Sequence, residues 1–282
     1  MARVRCTCGV LLSLPPGILY TVRCPRCYAT IVCPQTQQLS PISTNGKKRA
    51  VLIGYQGQPN SVRRNGYNVW LMNRFLVYFL GFPRESVRVL TEASELPTKE
   101  NILRAFSWLM EGCQPGHSLV FFYSGRSLGS LCPVDEINAA IVKPLPHGAK
   151  LHAIIDTCRS GTFLGLPFMY NNQGKIWEAN QQTSTAYQGT SGGTAICFST
   201  CDDTTAPTSD EVTGALTRSF IEAVKNERDL TYGHLLDSIR TKFRETQNRL
   251  KGSESSNTPS ILQVPQLTSS DQSLDINSKP SF

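Results

Sequence analysis

No apolar run in this 282-residue sequence approaches a membrane span: the longest, Phe75 to Phe82, is less than half of the about 20 residues that a spanning helix needs. The amino terminus also lacks a charged-then-apolar stretch ahead of a small-residue cleavage site. The expected location is therefore the cytoplasm or the nucleus, with no membrane partner. Acidic residues are missing from positions 1–49, which hold seven Lys or Arg and so carry the whole formal net charge of +7. The remainder balances at zero. A short basic module on a neutral body suits an acidic partner, such as nucleic acid or an acidic protein surface; a merely soluble arm is the plain alternative. Histidine is scarce, with four in the chain and none before His117, so any metal site near the amino terminus must be built from cysteine. A reducing compartment also excludes a disulfide framework. The ten cysteines, five of them within the first 33 residues, then point to metal binding or catalysis.

Cys6-x-Cys8 and Cys24-x2-Cys27 frame fifteen residues, a spacing compatible with a four-thiolate zinc site. Bound zinc would supply folding energy that so small a segment cannot obtain from burial. Cys33 is a possible substitute ligand, and reduced free thiols are the alternative reading. Residues 34–46, PQTQQLSPISTNG, are polar and proline-containing and read as a linker. This gives a zinc-finger module over 1–33, a linker over 34–46 and a body over 47–252.

The body alternates short apolar runs with helical periodicity. AVLIGY (50–55), SVRVLT (86–91), SLVFFY (118–123), LHAII (151–155) and TAICFST (194–200) read as strands. Helices are expected over Tyr67 to Leu80, from Thr98 to Gly112, over Gly214 to Asn226 and over Tyr232 to Leu250. Such alternation implies an α/β fold, a mainly parallel sheet with helices on both faces. Trp70, Met72, Phe75 and Phe79 read as core residues of the first helix. The stretch Asn171 to Gly193 reads as a surface loop, and residues 253–282, low in apolar content, read as a disordered tail.

The chain is organised around LHAIIDTCRSGT, residues 151–162. A buried strand here would deliver Cys158 to its carboxyl end, where open α/β sheets build ligand sites. A thiol so placed can attack. The alternative is a buried structural cysteine, against which stand the polar neighbours Asp156, Arg159 and Ser160.

Taken together, KKRAVLIG, SLVFFYSG, LCP, KPLPHGAKLHAIIDTCRSGT, CFSTCDD, TGALTRSFI and YGHLL resemble the metacaspases, caspase-like cysteine peptidases. With the amino-terminal element ending in Val22 to Cys27, which resembles a lesion-simulating-disease type zinc finger, the chain looks like a plant type I metacaspase. The resemblance implies a caspase-like sheet, cleavage after Arg or Lys, and calcium-dependent activity. It places the nucleophile at Cys158 and the pocket for a basic side chain at Asp156 and Ser124. Self-processing of an active relative would fall near Lys175.

Four departures set this chain apart. Arg126 stands where the family's catalytic histidine follows Tyr-Ser-Gly. Arginine cannot cycle its proton, although its charge can favour a thiolate. Loss of general acid–base catalysis costs on the order of 10² to 10⁴ in rate. Asn68 aligns with the family's pocket aspartate. Arg126 and Cys158 are 32 residues apart, against about 50 between histidine and cysteine in caspases. Of the calcium carboxylates that the resemblance implies, only Asp135 remains as a candidate, whereas calcium takes about six to eight oxygens.

The expected function is therefore a pseudo-peptidase that regulates or partners active relatives. Two readings stay beside it: a weak, calcium-independent cysteine endopeptidase in proteolysis or programmed cell death, and a zinc-dependent binding module with the body as support.

Overall fold

Runs such as AVLIGY and LHAIID offer apolar side chains to both faces of a strand, so they are satisfied only between two layers of helix. The structure, a computed structural model, describes residues 2–5, 11–14, 21–23, 30–32, 48–55, 62–125, 131–157, 163–181, 187–200, 214–226, 230–251 and 264–282. It divides into two units, Met1–Asn45 and Gly46–Phe282.

In the first unit β1 (Ala2–Arg5) pairs antiparallel with β2 (Leu11–Leu14), and β3 (Thr21–Arg23) with β4 (Thr30–Val32). The chain positions of Cys6 and Cys8 fall between the first pair, and those of Cys24 and Cys27 between the second. These cysteines and the 34–46 linker lie outside the described residues.

The second unit runs β5 (Lys48–Tyr55), α1 (Val62–Tyr78), β6 (Val87–Thr91), α2 (Lys99–Met110) and β7 (Ser118–Gly125). There follow α3 (Val134–Ile137), which continues into a π turn at Asn138–Val142, then β8 (Lys150–Asp156), β9 (Phe168–Asn171), β10 (Ile176–Ala179) and β11 (Thr194–Ser199). α4 (Ala215–Asn226), α5 (Tyr232–Lys251) and β12 (Gln266–Ser269) complete it. The strands form one eight-stranded sheet in the order β10-β9-β12-β11-β8-β7-β5-β6. The five from β11 to β6 are parallel, and β12, β9 and β10 extend the sheet antiparallel.

Alternate residues feed two cores. Ala50, Leu52, Val120, Phe122, Ile154, Ile196 and Phe198 meet α1, α4 and α5 on one face. Val51, Ile53, Phe121, Tyr123, Ala153 and Ile155 meet α2 and the π turn on the other. This is the expected α/β layering. Thr98 caps α2 as its sequence position predicts, its hydroxyl accepting from the Asn101 amide at 3.2 Å.

Three expectations are corrected. The supposed disordered tail, 253–282, includes β12, which lies inside the sheet between β11 and β9. The low average hydropathy of this segment conceals well-spaced anchors. Leu267 is fully buried, and Leu274, Ile276 and Phe282 pack against the core. Arg240 Nε donates to the Pro265 carbonyl at 2.8 Å and Trp177 Nε1 to that of Leu274 at 2.8 Å. The amides of Tyr232 and Gly233, orphaned at the start of α5, donate to Ser278 and Ile276 at 3.1 and 2.9 Å. The Asn171–Gly193 stretch is likewise no simple loop, because 176–179 return as β10 against β9. The turn between them is held by Asn171 Oδ1, which accepts from the Gln173 amide at 2.9 Å. On α1, Met72 and Phe75 are core residues, but Trp70 is exposed, as is Phe79 just after the helix.

Leu267→Ala should lower the stability to urea by about 2–5 kcal/mol, the cost of truncating a buried leucine. A midpoint and slope equal to the wild type would return the segment to a passive tail.

Candidate active site

Parallel strands that share a register end together, so β7 and β8, adjacent in the middle of the sheet, bring their carboxyl ends side by side with Ser124 opposite Asp156. Arg126 comes directly after β7 in sequence and Cys158 two residues after β8, and both lie outside the described residues. The strand ends that lead into them are described. Gly125 can occupy its position only as glycine, since a Cβ there would lie 1.8 Å from the Tyr55 carbonyl oxygen at the end of β5.

Asp156 is buried beneath this edge. One carboxylate oxygen accepts from the Gly214 amide at 3.3 Å, and the other accepts from the Thr217 amide at 2.9 Å and from the Thr217 hydroxyl. Gly214 immediately precedes α4, so the aspartate caps that helix from a neighbouring strand and faces the positive end of its dipole. Burial outweighs these donors and the nearby Arg218 cation, and it holds the carboxyl above its ordinary value. Beside it, Asn68 Nδ2 donates to Ser124 Oγ at 2.9 Å. Gly214, at φ +98°, leaves room for Asn68, because a Cβ would come within 2.8 Å of that amide. The structure thus brings Asn68, Ser124 and Asp156 into one cluster and adds Gly214 and Thr217, which the sequence reading did not single out.

Two further asparagines escaped that reading. Asn138, fully buried in the π turn, donates to the Leu164 carbonyl at 3.0 Å, and Asn180 donates to that of Leu166 at 3.0 Å. Between them Gly165 takes φ +60°. The turn that follows the Cys158 stretch is therefore pinned from both sides. On the other side of that stretch, the Thr200 hydroxyl donates to the Thr157 carbonyl. The only sequence signal for Asn138 was a polar residue inside an apolar run, INAAIV, which does not name its partner.

No histidine belongs to this end of the sheet. His117 precedes β7, His147 precedes β8, and exposed His234 lies in the first turn of α5. His152 is fully buried near the start of β8, with Nε2 2.7 Å from the Tyr232 hydroxyl. Burial, followed by the Lys150 charge, lowers its pKa to about 3. The four histidines of the chain thus cluster at the amino-terminal ends of the central strands, or, through Tyr232, at the start of α5 beside them. Burial also raises the described thiols, Cys113 among them, which disfavours the attacking thiolate. Burial pushes Cys132 up to about 11 and Cys197 up to about 12.

Among the described residues, no three His, Cys, Asp or Glu side chains are placed to hold a metal ion. Near the π turn, Glu136 is engaged by Lys99 at 2.7 Å. No described helix is long and apolar enough to cross a membrane.

Comparison with known proteins agrees with this geometry. The family model described as the caspase domain matches residues 47–275. Metacaspase-3 of Arabidopsis thaliana is 40% identical over 274 aligned positions, covering 83% of this chain and 75% of its own length. Metacaspase-1 of the same plant is 37% identical over 306 positions, covering 87% of this chain and 83% of its own length. Both alignments run over more positions than the covered share of this chain supplies, so each relative carries residues for which this chain has none. A Geobacter sulfurreducens protein of known crystal structure superposes with a TM-score of 0.53 at 15% identity, covering 83% of this chain and 98% of that one. That likeness concerns the fold alone.

The raised Asp156 pKa has a defined sign. As pH climbs above the ordinary aspartate value of 3.8, the unfolded chain loses its proton before the folded one does, so stability falls across that interval. The stability of the wild type relative to Asp156→Asn should therefore decline as pH rises from 3.8 through the raised value, as read by chemical denaturation. A difference that is constant or grows with pH would contradict this.

Proposed function

The chain belongs to the caspase-domain family and, within it, to the metacaspases, and from that premise we propose that it is a cysteine endopeptidase scaffold without ordinary turnover, acting as a pseudo-peptidase regulator. One observation carries the reading: the histidines lie toward the amino-terminal ends of the strands, whereas the nucleophile position, Cys158, follows the carboxyl end of β8. A thiol peptidase needs a group that takes the thiol proton and returns a proton to the leaving amine. Arg126, at the histidine position, can favour a thiolate by its charge but cannot make that return. Cys158 would remain nucleophilic and stall.

Asn68, Ser124 and Asp156 form the pocket for an Arg or Lys side chain in this reading. Both oxygens of Asp156 already accept from Gly214 and Thr217, so a substrate cation would have to share them. Weak engagement of basic substrates follows. A second reading, a slow calcium-independent endopeptidase, is favoured by the retention of Cys158, Asp156 and Ser124 together.

For zinc, the donor set fits: Cys6, Cys8, Cys24 and Cys27 are four soft ligands at the chain positions between paired strands. Zinc would there hold the two hairpins together. For calcium the donors do not fit, since Gly165, where the resemblance implies a carboxylate, has no side chain, Glu136 is bound by Lys99, and Asp135 alone is left of that set. A cytoplasmic or nuclear location, related metacaspases as partners, and nucleic acid on the basic module complete the proposal.

The deciding assay compares the wild type, Arg126→His and Cys158→Ala on a fluorogenic peptide ending in arginine, with and without calcium. The wild type should show no turnover above Cys158→Ala, and Arg126→His should gain activity if proton transfer is the sole defect. Sustained wild-type hydrolysis abolished by Cys158→Ala overturns the pseudo-peptidase reading in favour of the slow peptidase. Separately, the purified chain should carry about one zinc ion, as expected for one four-thiolate site, and replacing the four cysteines by serine should remove it. Zinc retained by that variant would place the metal elsewhere.

A further inference from the structure

Buried and exposed residues on α1 divide cleanly. Val69, Met72, Phe75 and Leu76 enter the core, while Tyr67, Trp70, Arg74 and Tyr78 recur every three or four residues along the opposite face. Seven large hydrophobic side chains are exposed among the described residues, and four of them belong to this helix or the residue after it: Tyr67 at 47%, Trp70 at 44%, Tyr78 at 48% and Phe79 at 50%. Scattered exposed apolar residues need no explanation, but a concentration on one helix does.

The side chains of this face are locked to one another. Tyr67 and Trp70 stack with ring centroids 5.6 Å apart and planes 22° apart. The Arg74 guanidinium lies 5.0 Å from the Trp70 ring centre and 5.4 Å from that of Tyr78. Arg84 lies 5.4 Å from the Tyr78 ring centre as well and donates from Nη2 to its hydroxyl at 2.6 Å. Lys225 approaches the Phe79 ring at 5.9 Å. Rings and cations thus form an ordered ridge whose side-chain entropy has already been lost on folding, a condition that favours association. Trp, Tyr and Arg are also the residue types that dominate binding hot spots.

Charge selects the occupant. The first 84 residues contain no Asp or Glu, so α1 has arginines and no carboxylate, and Glu85 beside Arg84 is the acidic residue nearest in sequence. A two-fold contact between copies would set the same arginines against each other. Tyr67 and Trp70 stack on each other, so each leaves at most one ring face to a base.

We propose that the exposed face of α1, Tyr67, Trp70, Arg74 and Tyr78, together with Arg84 beyond the helix, is a docking surface for a protein segment that carries carboxylates between apolar anchors. The anchors cover the rings and the carboxylates meet Arg74 and Arg84. This surface is independent of the peptidase reading, since none of these residues belongs to the site cluster.

The test is a selection of random 12-residue peptides displayed on phage against the full chain, with counter-selection on Trp70→Ala. Retained peptides should contain at least two apolar residues with Asp or Glu between them. A synthetic copy should lose at least about tenfold in affinity against Trp70→Ala and against Arg74→Glu, with thermal unfolding of both variants unchanged because neither side chain enters the core. No ridge-dependent peptide, or retained peptides without acidic residues, overturns the proposal. So does single-stranded oligonucleotide binding that both substitutions abolish, or a wild-type dimer in sedimentation that Trp70→Ala disperses.

Discussion

A carboxylate buried at the end of a central strand and turned into the first turn of a helix on the adjoining layer organises this protein. Asp156 belongs to β8, its donors to Gly214 and Thr217 at the start of α4, and its neighbour across the sheet is Ser124 of β7. Placing a carboxylate where water is excluded is costly, and the orphaned amides of a helix start are costly to bury as well. Each offsets the other. The same contact fixes how α4 meets the edge that leads, two residues later, to Cys158. A residue assigned by resemblance to substrate recognition is therefore a structural joint, and any substrate cation would have to compete for the same oxygen atoms.

Around that joint the site is braced mainly by amides and hydroxyls. Asn68 holds Ser124, Asn138 and Asn180 hold the turn at 163–167, and Thr200 holds Thr157. Such contacts keep their form over a wide pH range because none of the donors titrates. What the carboxyl edge lacks, among the described residues, is an imidazole to cycle a proton. His152, which might have supplied one, lies toward the other end of its strand against Tyr232, its basicity lost to burial.

The parallel core was legible in the sequence because each of its strands is a compact apolar run and each helix has a clear stop, such as Gly112 at φ +59°. Asn68, Ser124 and Asp156 were legible through family resemblance, and the structure places them together. Gly214 and Thr217 were not, since their role depends on a partner about sixty positions away, a distance that local patterning cannot span. Trp70 and Phe79 misled for a related reason: helical spacing identifies residues that share a face but does not say whether anything covers it. β12 was missed because composition was averaged over the whole segment, although a single fully buried Leu267 between correctly spaced polar neighbours is enough to join a sheet.

That last strand has a consequence for biogenesis. Because β12 separates β11 from the β9–β10 hairpin, the hairpin has no place in the sheet until residues 266–269 have left the ribosome. Until then β11 presents a bare edge to the crowded cell, the kind of edge on which other chains can nucleate. The nascent polypeptide would therefore depend on chaperone cover until β12 emerges, and a chain cut short between α5 and β12 would keep that edge bare and be prone to aggregate.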